Sequence, residues 1–273
     1  MTATAPAPVA PPTLFDRTTS LRSRSAHEHE AVLDESWRSL AGVHGGYQVA
    51  LSVLAAERAE PEREVRTVAT SFLRPALPGP GTLLVERVRR GRAITTLSVR
   101  LLQRDRVAAT SRITMVERRD GADWHEPVDL GVVPPAQAIP LEPPAEAGLV
   151  PHFDHAEAML DPTHLPFSRS GVARVGGHVR PLEPRPIDAA WLAMIVDWFP
   201  PAAFTRTDPP VGGISVDLTV HLHGTRSELA EGEWLTGAFD AEVSRGALAL
   251  ERGRIADVDG TLLAESFHTR WTG

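Results

Sequence analysis

The chain has 273 residues, 42% of them hydrophobic, enough for a substantial core arranged as two small domains or one large one. It has no cysteine, which rules out disulfides, thiolate metal sites and a cysteine nucleophile and leaves the redox compartment undetermined. All 28 basic residues are arginine, a signature of a GC-rich bacterial genome, and the formal net charge of −7 argues against a protein that coats nucleic acid.

Residues 1–14 are rich in Ala, Pro and Thr, with neither a basic start nor an apolar run. They predict a flexible tail on a cytoplasmic protein, not a secretory signal or membrane anchor. The tract His27-Glu28-His29-Glu30 has metal-binding chemistry, but beside the tail and among other charges it reads as solvated surface. Between Ser36 and Glu57, Trp37 and Leu40 lead into the glycine-rich step Gly42-Val43-His44-Gly45-Gly46-Tyr47, and Val49, Ala50, Leu51, Val53, Leu54 and Ala55 follow. This pattern predicts a helix entered through glycines and buried on nearly all sides. Strands are predicted at 65–73, 81–89, 93–104 and 106–116, separated by a Pro/Gly turn at 75–81, by Arg90-Gly91-Arg92 and by a tight turn near Asp105.

Residues 129–150 carry Pro134, Pro135, Pro140, Pro143 and Pro144 and predict an extended linker draped over the surface. A strand at 171–180 follows, then a helix over 187–199 with apolar positions Ile187, Ala190, Trp191, Met194, Ile195, Trp198 and Phe199, stopped by Pro200-Pro201. Strands at 213–223, 233–244, 247–257 and 261–271 complete the chain, with Asp259-Gly260 as a hairpin turn.

The two series repeat each other. Arg90-Gly91 stands ahead of Ala109 and Ser111 as Arg245-Gly246 stands ahead of Ala264 and Ser266, and 245−90, 246−91, 264−109 and 266−111 all give 155. A single repeat argues for a duplicated domain whose copies pack on each other, and against a solenoid. One buried helix followed by an antiparallel meander, twice, predicts an α+β fold in which each sheet wraps its helix, with copies over 15–128 and 151–273. Joining the two sheets edge to edge, helices on the same side, would satisfy the hydrogen bonds of both inner edges.

Five segments in this order carry a resemblance: Val43-His44-Gly45-Gly46-Tyr47; Ser71-Phe72-Leu73-Arg74-Pro75 with Pro78-Gly79-Pro80; Gly213 to Thr219; Gly232-Glu233-Trp234-Leu235; and Asp259 to Ala264. Together they resemble the double-hotdog acyl-CoA thioesterases of the TesB-like (thioesterase II) group, over nearly everything from Leu14 onward. The resemblance implies hydrolysis of acyl-CoA, or of acyl groups on a carrier protein, within fatty acid or polyketide metabolism. It implies a water held by Asp197, Ser215 and His268, no covalent intermediate and no cofactor. His268 stands where a glutamine is expected. A neutral imidazole offers one donor against the amide's two, and it is open to protonation near neutral pH. By the 155-residue step His268 falls on Ile113, so the first copy lacks the imidazole and one composite site per chain is expected. The first copy would supply the helix start at His44, Gly45, Gly46 and Tyr47, with the Gly46 and Tyr47 N–H groups stabilising the oxyanion.

Each of these residues also has an ordinary reading. Asp197 in an apolar helix is paired, exposed on a narrow polar stripe, or functional. Ser215 alternates with Asp217, Thr219 and His221, opposite Val216 and Leu218, and points at a site only if its strand carries a bulge. Asp217, His221 and His223 lack a well-spaced further ligand and read as polar sheet residues, so no metal is expected. Arg89-Arg90-Gly91-Arg92 suits coenzyme A phosphates or plain solvation. Trp37, Tyr47, Trp198 and Phe267 line an acyl pocket or fill the core. No phosphate-binding loop and no Gly-x-Ser-x-Gly elbow is present. The alternative to a hydrolase is a non-hydrolytic acyl-thioester-binding protein that reuses the pocket. No membrane or nucleic-acid partner is expected, and a homo-oligomer is left open.

Overall fold

The structure is a computed structural model that describes residues 11–39, 41–118, 124–142, 151–206, 213–226 and 229–273. Its first half contains α1 (Leu14–Thr18), β1 (Leu21–Ser25), β2 (Glu28–Leu33), the short pair β3 (Arg38–Ser39) and β4 (Gly42–Val43), α2 (Gly45–Ala59), β5 (Arg63–Phe72), β6 (Gly79–Arg90), β7 (Ile94–Gln103) and β8 (Arg106–Glu117). Its second half contains β9 (Ile139–Pro140), β10 (Ala156–Leu160), β11 (Arg174–Pro181), α3 (Ala189–Ile195), β12 (Ile214–Leu222), β13 (Leu235–Arg245), β14 (Leu248–Ala256) and β15 (Leu262–Trp271).

Thirteen strands form one sheet in the order β1-β2-β6-β7-β8-β5-β12-β15-β14-β13-β11-β10-β9. The halves meet where β5 pairs antiparallel with β12, from Thr67 opposite His221 to Ser71 opposite Asp217. Outward from this seam the order β5-β8-β7-β6 is mirrored by β12-β15-β14-β13, as the 155-residue step requires. Both helices lie on one face, packed on each other, α2 over β5–β8 and α3 over β12 and β15. This is the double hotdog expected of the sequence.

Alternation builds the core. Leu97, Val99 and Leu101 of β7 and Leu218, Val220 and Leu222 of β12 turn toward the helices and are buried, each stabilising the fold by roughly 1.5–3 kcal/mol. Helix α2 is buried along most of its length and capped by His44, whose Nδ1 accepts from the Tyr47 N–H. Asp188 caps α3, accepting from the Trp191 N–H at 2.8 Å.

Several elements differ from the sequence reading. Helix α3 is shorter than 187–199: Ile187 is held in a bridge to Arg226, and Asp197 and Trp198 bond back to Met194 and Ile195 in a tighter turn. Asp197 therefore follows the helix. His27 to Glu30 lies in and beside the hairpin β1–β2, and His29 is fully buried with its Nδ1 on Ser23 Oγ, so solvated surface does not describe it. Of the tail at 1–14, Met1 to Ala10 lie outside the described residues. Thr13 and Asp16 form a capping box on α1, which docks on the second half through Asp16 and Arg185 at 2.7 Å. Within the Pro-rich segment, Leu130 packs on Ala238 and Ala256, and β9 extends the sheet by pairing with β10; residues 143–150 lie outside the described set.

Candidate active site

The site forms where the N-terminus of α2 meets the turn after α3. Gly42, at φ +146°, lets β4 pass so close to the 75–78 loop that a Cβ would lie 2.4 Å from Ala76 O, and the Val43 N–H bonds that same oxygen at 2.8 Å. This contact aims the start of α2 at Asp197. A Cβ on Gly46 would lie 2.3 Å from Met194 O, so the helices meet backbone to backbone.

Asp197 is buried and held from both halves. Its Oδ2 accepts the Gly46 N–H at 2.8 Å and lies 3.5 Å from His44 Nε2; its Oδ1 lies 3.1 Å from Arg270 Nη2 and 3.5 Å from His268 Nδ1. His44 Nδ1 is an acceptor, so its Nε2 carries the proton and donates to the Asp197 carbonyl oxygen at 2.8 Å. Burial alone would push the Asp197 carboxyl up. His44, His268, Arg270 and the Gly46 N–H outweigh it and hold the carboxyl down at about 2.

Ser215 reaches this group through a bulge. The β12–β15 register shifts between Ser215 and Asp217, and Ser215 Oγ turns to the helix side, 3.4 Å from where a Cβ on Gly45 would stand. That same point is 2.7 Å from Asp197 Oδ2 and 3.3 Å from the Phe72 ring. The missing side chain at Gly45 thus lets the helix start come close to both the carboxylate and the hydroxyl. His268, fully buried on β15, borders Asp197, and neither of its ring nitrogens has a hydrogen-bond partner among the described residues.

His268 departs from the sequence reading in its charge. Burial first, and Arg270 second, push the imidazole down to about 3, so it is neutral throughout the physiological range and no titration near 6.5 is available to it. The two amides assigned to the oxyanion are already engaged, Gly46 with Asp197 and Tyr47 with His44. The Gly45 N–H, at the first helical position, meets no acceptor among the described residues.

Aromatic rings close the site from below. Trp37 stacks on Tyr47 at 4.8 Å and on His155 at 3.8 Å, while His152 stacks on His44 at 4.8 Å and meets Trp198 edge-on at 5.7 Å. Trp37, Tyr47 and Trp198 are core residues, whereas Phe267 lies on the opposite sheet face, 38% exposed. His221 and His223 are also away from the site, and no cluster among the described residues has the makings of a metal centre. Arg87 and Arg90 bind Glu60, the C-cap of α2, at 2.6 and 3.4 Å. The Arg89–Arg92 turn therefore lies at the far end of α2, roughly 22 Å from its start. A groove of about 1030 Å³ opens nearer that start, lined by Arg17, Arg22, Arg74, Arg104 and Arg106 together with Glu30, Asp34 and Asp105, and Thr18 O, also on its wall, accepts the Tyr47 hydroxyl. Arg270 and Glu251 escaped the sequence reading, although each shares its strand face with a residue that points to the helices.

The model of the acyl-CoA thioesterase N-terminal domain matches residues 33–116, and that of the C-terminal domain matches 133–271. The chain belongs to the acyl-CoA thioesterase family. An uncharacterized protein of Mycobacterium tuberculosis is 35% identical to this family member over 139 residues, 45% of this chain and 46% of the relative, so the match spans about half of that relative's length. Among solved structures, a hot dog fold protein of unknown function from Alicyclobacillus acidocaldarius is 23% identical with a TM-score of 0.84, covering 96% of this chain and 98% of that one. Acyl-CoA thioesterase II TesB2 from Mycobacterium marinum is 21% identical with a TM-score of 0.73, covering 96% and 97%. At these identities the two structures establish that this family member shares their fold.

Proposed function

We propose that the chain hydrolyses acyl-CoA thioesters through a water bound between Asp197 Oδ2 and Ser215 Oγ and bordered by His268. The observation that carries the reading is the convergence of an ionised, buried carboxylate and the Ser215 hydroxyl on the start of α2 at Gly45. The water oxygen attacks the thioester carbonyl carbon as Asp197 takes its proton, and the carbonyl oxygen becomes an oxyanion facing the Gly45 N–H at the positive end of α2. Collapse of the tetrahedral intermediate breaks the carbon–sulfur bond. The thiolate recovers the proton, and a carboxylic acid and free coenzyme A leave. The arginines of the groove beside Tyr47 are offered as contacts for the coenzyme A phosphates. An acyl group on a carrier protein would meet the same chemistry. A cytoplasmic setting belongs to the same proposal; no helix among the described residues is long and apolar enough to cross a membrane.

The second reading, a non-hydrolytic acyl-thioester-binding protein, is favoured by the low affinity of Asp197 for a proton, since a general base works best when its pKa lies near the operating pH. Thiol release from a panel of acyl-CoAs separates the two. Asp197→Asn, nearly isosteric but unable to take a proton, is expected to lower turnover by roughly 10²–10⁴-fold with the fold retained. Equal turnover in parent and variant removes Asp197 from the chemistry, and a parent inactive on the whole panel that still binds acyl-CoA establishes the second reading.

A further inference from the structure

Behind Asp197 lies a buried chain of charges that the hydrolytic scheme leaves unused. Arg270 Nη2 stands 3.1 Å from Asp197 Oδ1 and 3.0 Å from Glu251 Oε1, and its Nε bonds the same Glu251 oxygen at 3.0 Å. The other oxygen of Glu251 accepts the Ala202 N–H at 2.6 Å. Ala202 opens the short helical turn that follows Pro200-Pro201, so Glu251 grips the segment leading away from Asp197 while Arg270 grips the side chain. All three charged groups are buried. Such charges are costly unless each is paired, and here the partners are shared along one line from β14 through β15 to the site.

We propose that Arg270, anchored by Glu251, is a positioning residue for Asp197. It occupies Oδ1, so that the carboxylate is fixed in one plane with Oδ2 turned to the water, and it helps keep that buried carboxylate ionised. The inference rests on the hydrolytic reading given above. The groups facing the carboxylate are His44 and the Gly46 N–H from α2, His268 and Arg270 from β15, and, farther out, His152 from the turn before β10. Among them Arg270 is the cation that, as a guanidinium, keeps its charge at every working pH. Without it, one of the groups that oppose burial is gone, with His44, His268 and the Gly46 N–H remaining.

The test uses Arg270→Gln and the double variant Arg270→Gln/Glu251→Gln. The double variant removes both charges, so no carboxylate is stranded at position 251 if the single variant folds poorly. Two readouts are taken: kcat and KM against pH, and the titration of the Asp197 carboxyl by carbon-13 NMR, its resonance identified by its loss in Asp197→Asn. For a positioning role, kcat is expected to fall about 10²-fold, as it does for a displaced reacting group, with KM nearly unchanged. The Asp197 titration, and with it the acid limb of kcat, is expected to move up by roughly 1–3 pH units. A folded variant whose carboxyl titrates where the parent's does, with an unshifted limb, shows that the charge chain only joins β14 to β15 and overturns the proposal. A parent that hydrolyses nothing overturns the hydrolytic reading instead, and the NMR titration still decides whether Arg270 controls the carboxylate.

Discussion

Acidification offers a direct measure of the imidazole cluster beneath the site. His152, His155 and His268 are buried, and burial pushes them down to about 3, about 4 and about 3. In the unfolded chain each titrates near 6.5. Below that value the unfolded state binds protons that the fold refuses, so stability is full above about pH 6.5 and is lost as pH falls through the window toward the folded values. At pH 5 an unfolded imidazole is roughly 1.5 pH units below its midpoint, which corresponds to about 2 kcal/mol for each group and about 6 kcal/mol for the three. A domain's whole stability is about 5–15 kcal/mol. The carboxyls of Asp16, Asp161 and Asp197 are held below their ordinary range and add their losses only at lower pH, whereas Glu57, raised by burial to about 7, takes up a proton in the fold within this window and offsets part of the imidazole loss. Urea unfolding followed by tryptophan fluorescence at a series of pH values between 7.5 and 5 provides the measurement. The free energy should decline with a limiting slope of about 3 kcal/mol per pH unit near pH 5, unfolding taking up three imidazole protons while Glu57 gives up most of one. A decline below about 2 kcal/mol over the whole range would refute the premise that these rings are buried and neutral.

The two glycines at the start of α2 should separate function from stability. Gly45→Ala places a methyl 2.7 Å from Asp197 Oδ2 and is expected to lower turnover by about 10²-fold with little change in Tm. Gly46→Ala drives a methyl to 2.3 Å from the Met194 carbonyl oxygen and is expected to cost roughly 1–3 kcal/mol of stability; the reverse pattern would contradict the geometry. Because the His268 imidazole is neutral well below pH 6, the rate profile of the parent should show no step near 6.5, and His268→Gln should keep its shape. A step in the parent that vanishes in the variant would show that the ring titrates during catalysis.

The architecture was legible because its signals are local and periodic. The alternation in β7 and β12, the glycine-led apolar helix and the constant 155-residue step reappear as strands, α2 and the mirrored strand order about the seam. Asp197 and Ser215 were named through resemblance, and the structure brings them to one point beside Gly45. What stayed hidden depends on partners distant in sequence. The engagement of the Gly46 N–H was invisible because its acceptor lies 151 residues away, and the same holds for the neutrality of His268, which follows from what surrounds it. The bulge at Ser215 had no signature beyond an alternation that pointed the wrong way. Arg270 was within reach of sequence reasoning, since it follows His268 by two positions on one strand and so shares its face. The end of α3 was misplaced because apolar periodicity continues through Trp198 and Phe199, where the chain has already tightened into a turn.

The β5–β12 seam gives the covalent link between the halves a meaning of its own. Two separate chains meeting along such an edge would part on dilution, and the groups they bring together would part with them. Here the partner is tethered, so association is an intramolecular event with an effective concentration set by the connecting segment, and the site stays assembled however scarce the protein is. Tethering also relaxes a symmetry requirement. Identical partners must keep every site group in both copies, whereas fused ones are free to diverge: in the proposed site one half supplies the helix start at His44 to Gly46, and the other supplies Asp197, Ser215 and His268.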